Sequence, residues 1–171
     1  MIPLRDNIPS RSAPLITVAL IAANTIVFFV ELSQGSGIRT FIHDFGLVPV
    51  HVTLSALLTS MFLHAGFLHL IGNMWFLWIF GDNIEDRFGH LRFLVFYVLS
   101  GVGAGIMHAV MNLGSTLPTI GASGAIGGVL GAYMVSFPNA RIQTFAFIQV
   151  IELPQAAIRT GKGPVLLIHF A

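Results

Sequence analysis

Long apolar blocks, each closed by a short polar or glycine-rich break, organise this chain. A helix needs about 20 apolar residues to cross a hydrocarbon core of roughly 30 Å. The first block, Leu15 to Leu32, meets that length and is closed by Gln34-Gly-Ser-Gly37. A semi-polar loop from Ile38 to about Val52 follows. It holds His43, Asp44, Pro49 and His51, with enough apolar residues (Phe41, Phe45, Leu47, Val48) to lie in the membrane interface. The second block predicts a span from about Leu54 to Phe80, followed by a charged turn carrying Asp82, Glu85, Asp86, Arg87, His90 and Arg92. A third span is expected from about Phe93 to Leu113 and a fourth from Ser123 to Phe137, closed by Pro138-Asn-Ala-Arg141. Beyond Arg141 the pattern degrades. Phe145 to Leu153 is short and interrupted by Gln149 and Glu152, so no fifth span is assigned, and nothing after it reads as a sixth.

Composition narrows the class. Of 171 residues, 55% are apolar and only 9% charged, against roughly 25% charged in soluble domains. That is too few charges to coat a water-facing surface, and an all-α polytopic membrane protein is the expected fold. The 14 residues before the first span are polar and carry Arg5 and Arg11. No small-residue cleavage site follows the first apolar run, which therefore reads as a retained span. With the N-terminus cytoplasmic, the inner segments hold Arg5, Arg11, Arg87, Arg92 and Arg141 and the outer ones only Arg39, in accord with the positive-inside bias. A net charge of +1 argues against a nucleic-acid binder. The absence of cysteine excludes disulfides and thiolate zinc sites.

Glycines mark helix contacts: Gly101, Gly103 and Gly105 in the third span, Gly124 with Gly128 and Gly127 with Gly131 in the fourth. The chemistry lies in the polar groups at membrane depth, which are costly there and so face a protein interior or wet cavity. The second span contains His64, His69 and Asn73; the fourth opens with Ser123. His69 and Asn73 are four apart and share a helix face. His64 and His69 are five apart, about 140° around the axis, and no acid completes an HExxH pattern, so a metal site is not expected. At 1.5 Å per residue, Ser123 lies about 21 Å above the inner end of its helix and His69 about 17 Å above the inner end of its own. Both come out in the outer half of the membrane, with Asn73 at about 10 Å.

A serine at a helix N-terminus sits among unpaired N–H groups at the positive end of the dipole. Flanked by Gly121 and Gly124, it can approach a substrate backbone. Its own N–H, with donors from His69 and Asn73, could hold an oxyanion. Two plainer readings stay open on these residues alone: Ser123 as an ordinary N-cap, and His69 with Asn73 as a buried hydrogen-bonded pair.

The combination is more specific than its parts. Leu63-His-Ala-Gly-Phe-Leu-His-Leu-Ile-Gly-Asn73, continuing through Met74 to Asp86, resembles the second transmembrane helix of rhomboid proteases. Phe88-Gly-His90 and the glycine-rich third span continue the likeness, and Gly121-Ala-Ser-Gly-Ala-Ile-Gly-Gly128 resembles the family's nucleophile motif. The resemblance covers about residues 15 to 153 and looks like the bacterial, plasma-membrane branch. It implies a rhomboid-like helical bundle and an intramembrane serine endopeptidase acting on transmembrane protein substrates in the lipid bilayer, with neither cofactor nor metal. It further implies Ser123 as nucleophile, His69 and Asn73 as oxyanion donors, His64 in a supporting role, and the loop Ile38 to Val52 as the membrane-embedded first loop. The expected organisation is a cytoplasmic segment over 1–14, a partial rhomboid-like domain over 15–153 and a divergent tail over 154–171.

The family's general base is a histidine on a glycine-rich sixth span, which this chain does not display. A serine without a base is a weak nucleophile. His169 stands among residues with none of the glycines that would pack its segment against the fourth span, and is not expected to substitute. The departure near residue 154 is what truncation or a frameshift would produce. His43, His51 and His108 read as loop, interface and packing residues. A catalytically inactive rhomboid-like protein that binds transmembrane clients is the alternative; a transporter or channel would call for intramembrane acids, and only Glu31 and Glu152 stand near span ends.

Overall fold

A computed structural model describes residues 2–146 and 149–154. The elements in chain order are β1 (Ile2–Asp6), α1 (Leu15–Ser33), α2 (Ile38–Phe45), α3 (Leu54–Thr59), α4 (Phe67–Phe88), α5 (His90–Met111), α6 (Ser123–Ser136), β2 (Arg141–Ala146) and β3 (Gln149–Pro154). The helices follow the apolar blocks, and their ends have local causes. Pro14 immediately precedes α1, and Gly35 follows its last turn with a φ of 53°. Gly89, at a φ of 81°, is the only residue between α4 and α5. Pro138 restricts Phe137 before it to a non-helical conformation, so α6 ends at Ser136.

Three sequence expectations change. The second span is not one helix: Leu54–Phe62 and Phe67–Phe88 are bent by 92° across a short break at residues 63–66. The charged segment after Phe80 is no turn, since α4 continues to Phe88 and the turn shrinks to Gly89. Nor is the chain all-α. The N-terminal segment pairs antiparallel with β2, which pairs with β3, in the order β1-β2-β3. The register sets Ile2 against Phe145 and Asp6 against Ile142, then Arg141 against Pro154. Such pairing gives the backbone of 149–154 its partners without a helix.

Among the described residues, α1 and α5 are long and apolar enough to cross a membrane, and the bent pair makes a third if counted as one span. At 14 residues, α6 spans about 21 Å and is too short to cross alone. The protein is mostly helical and membrane-spanning, with two to three such spans among the described residues where four were expected.

The interior is formed where α4, α5 and α6 meet, with Leu77, Ile84, Phe93, Tyr97, Val129 and Tyr133 all fully enclosed. Apolar side chains also face outward: Leu68, Ile71 and Trp78 on α4, Leu99 and Met107 on α5, Val135 on α6. Apolar surface inside and out is what a lipid-facing bundle requires.

The lower ends of the helices are tied by carboxylates. Glu85, 1% exposed, accepts from the backbone N–H groups of Ile16 and Thr17 at 2.8 Å each. It thereby caps α1, whose own N-cap, Pro14, has no side chain to do so. His90 Nδ1 lies 2.5 Å from the same carboxylate. Asp86 accepts from Arg11 N–H at 2.5 Å and Ser12 N–H at 2.9 Å, and from the Ser12 hydroxyl. Asp6 accepts from Asn83 Nδ2 at 2.9 Å and from the Tyr133 hydroxyl, and burial pushes its carboxyl above the ordinary value.

Candidate active site

The break between α3 and α4 builds one side of the site. After the single 3₁₀ turn Ser60–Phe62, the chain runs extended through Leu63 and re-enters a helix at Phe67, so His69 falls in the first turn of α4 and Asn73 one turn below. The other side is the connection from α5 to α6. Thr119 forms an antiparallel bridge with Leu47 through N–H to carbonyl bonds of 2.8 and 3.0 Å, and Gly121 N–H donates to the Ser60 carbonyl at 2.8 Å. Ser123 is the first residue of α6.

Gly121 joins the two sides. Its φ of 128° is one that L side chains rarely adopt, and a Cβ added there would lie 2.7 Å from His69 Cε1, 2.9 Å from Nε2 and 3.9 Å from Asn73 Nδ2. The missing side chain is the space that the His69 ring occupies. Gly124 is similar, its open position filled by Ala104 of α5, 2.5 Å from an added Cβ. Both glycines thus serve close packing within the protein, where the sequence had suggested clearance for a substrate. Gly128 likewise meets Ser100, whereas Gly127 and Gly131 have nothing within 4 Å.

Of the plainer readings, neither describes this geometry. The N-cap of α6 is Ala122, and no side chain caps the helix. Ser123 is exposed, and among the described residues its hydroxyl is in no hydrogen bond. His69 and Asn73 are not bonded to each other. Asn73 is 9% exposed, and its Nδ2 has no partner among the described residues. The Ala65 N–H donates to His69 Nδ1 at 3.4 Å. A neutral imidazole that accepts at Nδ1 carries its proton on Nε2, and Nε2 is turned toward Gly121. Two donors, His69 Nε2 and Asn73 Nδ2, therefore face the segment that leads into Ser123.

His64 sits behind this pair. It is 1% exposed, with its ring edge-on to His69 at a centroid distance of 5.1 Å, and its Nδ1 lies 3.2 Å from the Phe62 carbonyl. Its backbone N–H donates to Glu31 Oε2 at 3.1 Å. Glu31, buried in the last turns of α1, was read from sequence as a marginal acid near a span end. It is the acceptor that fixes the break. Its signal was its cost: a carboxyl at membrane depth implies a partner.

A cavity of about 200 Å³ opens beside Ser123, floored by the small residues Gly101, Ala104, Gly105 and Gly124, with Thr119 and His108 on its wall. His43 is exposed on α2 and His51 lies in the loop before α3, both away from this cavity's lining. His169 lies outside the described residues.

Residues 51–163 match the family model of the Rhomboid domain. The human Presenilin-associated rhomboid-like protein, mitochondrial, is 35% identical over 147 residues, 84% of this chain and 37% of that protein. Rhomboid protease GluP of Bacillus subtilis is 35% identical over 135 residues, 75% of this chain and 26% of its own length. RHOMBOID-like protein 6, mitochondrial, of Arabidopsis thaliana is 42% identical over 78 residues, 46% of this chain and 25% of that one. The chain thus spans between a quarter and somewhat over a third of these relatives. On the matched domain, and on helices that set His69, Asn73 and Ser123 around Gly121, the chain belongs to the rhomboid family.

Proposed function

We propose that this chain carries the nucleophile and oxyanion half of a rhomboid-type intramembrane serine endopeptidase, acting on transmembrane protein substrates in a cell membrane with the N-terminus cytoplasmic. The observation that carries the reading is the pair of uncommitted donors, His69 Nε2 and Asn73 Nδ2, facing Gly121 beside an exposed Ser123. A buried amide without a partner costs roughly 1–3 kcal/mol, and this one faces the segment that leads into Ser123. In this role Ser123 Oγ attacks a substrate carbonyl carbon, the C–O bond forms, and the carbonyl oxygen takes the electron pair. The Ser123 backbone N–H, His69 and Asn73 stabilise that charge by donating to it. The intermediate collapses to an acyl-enzyme as the amine leaves with a proton, and water releases the acid. His64 supports His69 through ring contact. The cavity floor of Gly101, Ala104, Gly105 and Gly124 suits a small substrate side chain next to the cut bond.

Removing the Ser123 proton requires a base, and among the described residues no hydrogen bond joins an imidazole to Ser123. That favours a second reading, a rhomboid-like protein that holds transmembrane clients without cutting them. One experiment separates the two. The full chain, reconstituted in vesicles, is treated with a fluorophosphonate probe and with a tagged transmembrane substrate. The protease reading expects labelling and cleavage, each lost in Ser123→Ala. Client capture that Ser123→Ala leaves unchanged, with no labelling of the parent chain, supports the second reading and overturns the first.

A further inference from the structure

We propose that His108 is a positioning residue for the Ser123 site, holding Thr119 to Gly121 in place through the Thr119 hydroxyl. His108 Nε2 and Thr119 Oγ1 are 2.7 Å apart, and both residues line the cavity beside Ser123. The sequence had offered His108 only as a packing residue. Its ring is in the last turn of α5, and α5 is locked to α6 by the close approaches of Ala104 to Gly124 and Ser100 to Gly128. The imidazole is therefore mounted on a rigid element, and Thr119 is held on the loop it faces.

Thr119 is fixed at three points. Its N–H and carbonyl pair with Leu47, and its hydroxyl with His108. The loop's backbone is held by this bridge and by the Gly121 N–H bond to the Ser60 carbonyl. The bond from His108 adds a side-chain tie from α5 that sets Thr119 between those two anchors. Two residues on stands Gly121, set against His69 with no room for a Cβ, so a shift at Thr119 is passed to the spacing between the oxyanion donors and Ser123. Displacements near 1 Å at that spacing are worth about 10²-fold in rate. His108 acts through Thr119 and need not touch the substrate.

The assignment rests on the proposed reaction only for its kinetic consequence. The full chain in detergent micelles is compared with His108→Leu, His108→Gln and Thr119→Val by amide hydrogen exchange and by fluorophosphonate labelling of Ser123. His108→Leu and Thr119→Val are each expected to speed exchange at Leu47, Thr119 and Gly121 by about 10-fold, the scale of one net hydrogen bond. Amides within α5 and α6 should not change. His108→Gln, whose amide reaches the same hydroxyl, should stay within about threefold of the parent, and the double variant should be no worse than either single one. Ser123 labelling should slow with Leu and recover with Gln. Unchanged loop exchange in His108→Leu overturns the assignment, as does a rise spread equally over the helices. Absence of labelling in the parent chain would sink the proposed reaction and leave the exchange result to decide this one.

Discussion

The two ends of the bundle differ in how their most distinctive polar groups are partnered: the carboxylates at one, the donors around Gly121 at the other. At the lower end, both Glu85 oxygens are occupied, by Ile16, Thr17 and His90, and both Asp86 oxygens by Arg11 and Ser12. At the Ser123 end, the Asn73 amide is buried with nothing to donate to, His69 points a donor at a glycine, and the serine hydroxyl is unbonded. Satisfied groups hold a fold together, and an unsatisfied donor beside a cavity is able to receive a ligand. The carboxylates at one end thus answer to stability, whereas the role proposed for the donors at the other is chemical.

Three substitutions sharpen that contrast. The largest effect is expected for Glu85→Ala, which strips the start of α1 of its cap and leaves two N–H groups unpaired. Hydrogen bonds to a charged group contribute about 1.5–3 kcal/mol each, so a loss of about 3 kcal/mol or more should appear in detergent unfolding. Ser123 labelling per folded molecule should not move. Asn73→Leu should do the reverse. It replaces an orphan donor with an apolar side chain of similar size, so stability is expected to hold or rise by about 1 kcal/mol, while cleavage falls about 10²–10³-fold. A variant that loses stability and keeps its rate would place Asn73 in the scaffold.

The smallest effect concerns Asp6. Burial raises its carboxyl above the ordinary value of 3.8, so the folded protein holds that proton more tightly than the unfolded chain does. Its contribution is fully present below the ordinary value and is lost as pH rises through the raised one. Stability measured across that window should therefore decline with rising pH through this group, and Asp6→Asn should flatten the slope. An unaltered slope would assign the pH response to other groups.

Much of this was legible in the chain. Apolar length gave α1 and α6 to within one residue and α5 to within three, because each lies within one largely uninterrupted block. The break at 63–66 was not visible, since hydropathy is continuous from Leu54 to Phe80 and reports only that the residues prefer lipid. The sheet escaped for another reason. Residues 2–6 find their partners at 141–146, and no local pattern encodes a pairing across that separation. At the site, spacing placed His69 above Asn73 and set Ser123 at a helix start. What spacing could not show was which group fills the gap at Gly121, as that depends on how two separate connections meet. His64 was named from the resemblance as a supporting residue; its burial edge-on to His69 and its anchor, Glu31, were not legible, since Glu31 lies in a different span. Thr119 gave no signal at all, because a lone threonine in a loop is ordinary.

The 92° bend has a further consequence. By ending α3 early and restarting the helix at Phe67, it brings the first turn of α4 to the same place as the first turn of α6. Two helix N-termini, each equivalent to about half a positive charge, converge on the segment between Gly121 and Ser123. Backbone dipoles of this orientation favour negative charge, and no lysine or arginine stands on the cavity wall. A site built this way needs no buried cation and so carries no desolvation cost of one at rest. It favours negative charge only when that charge forms.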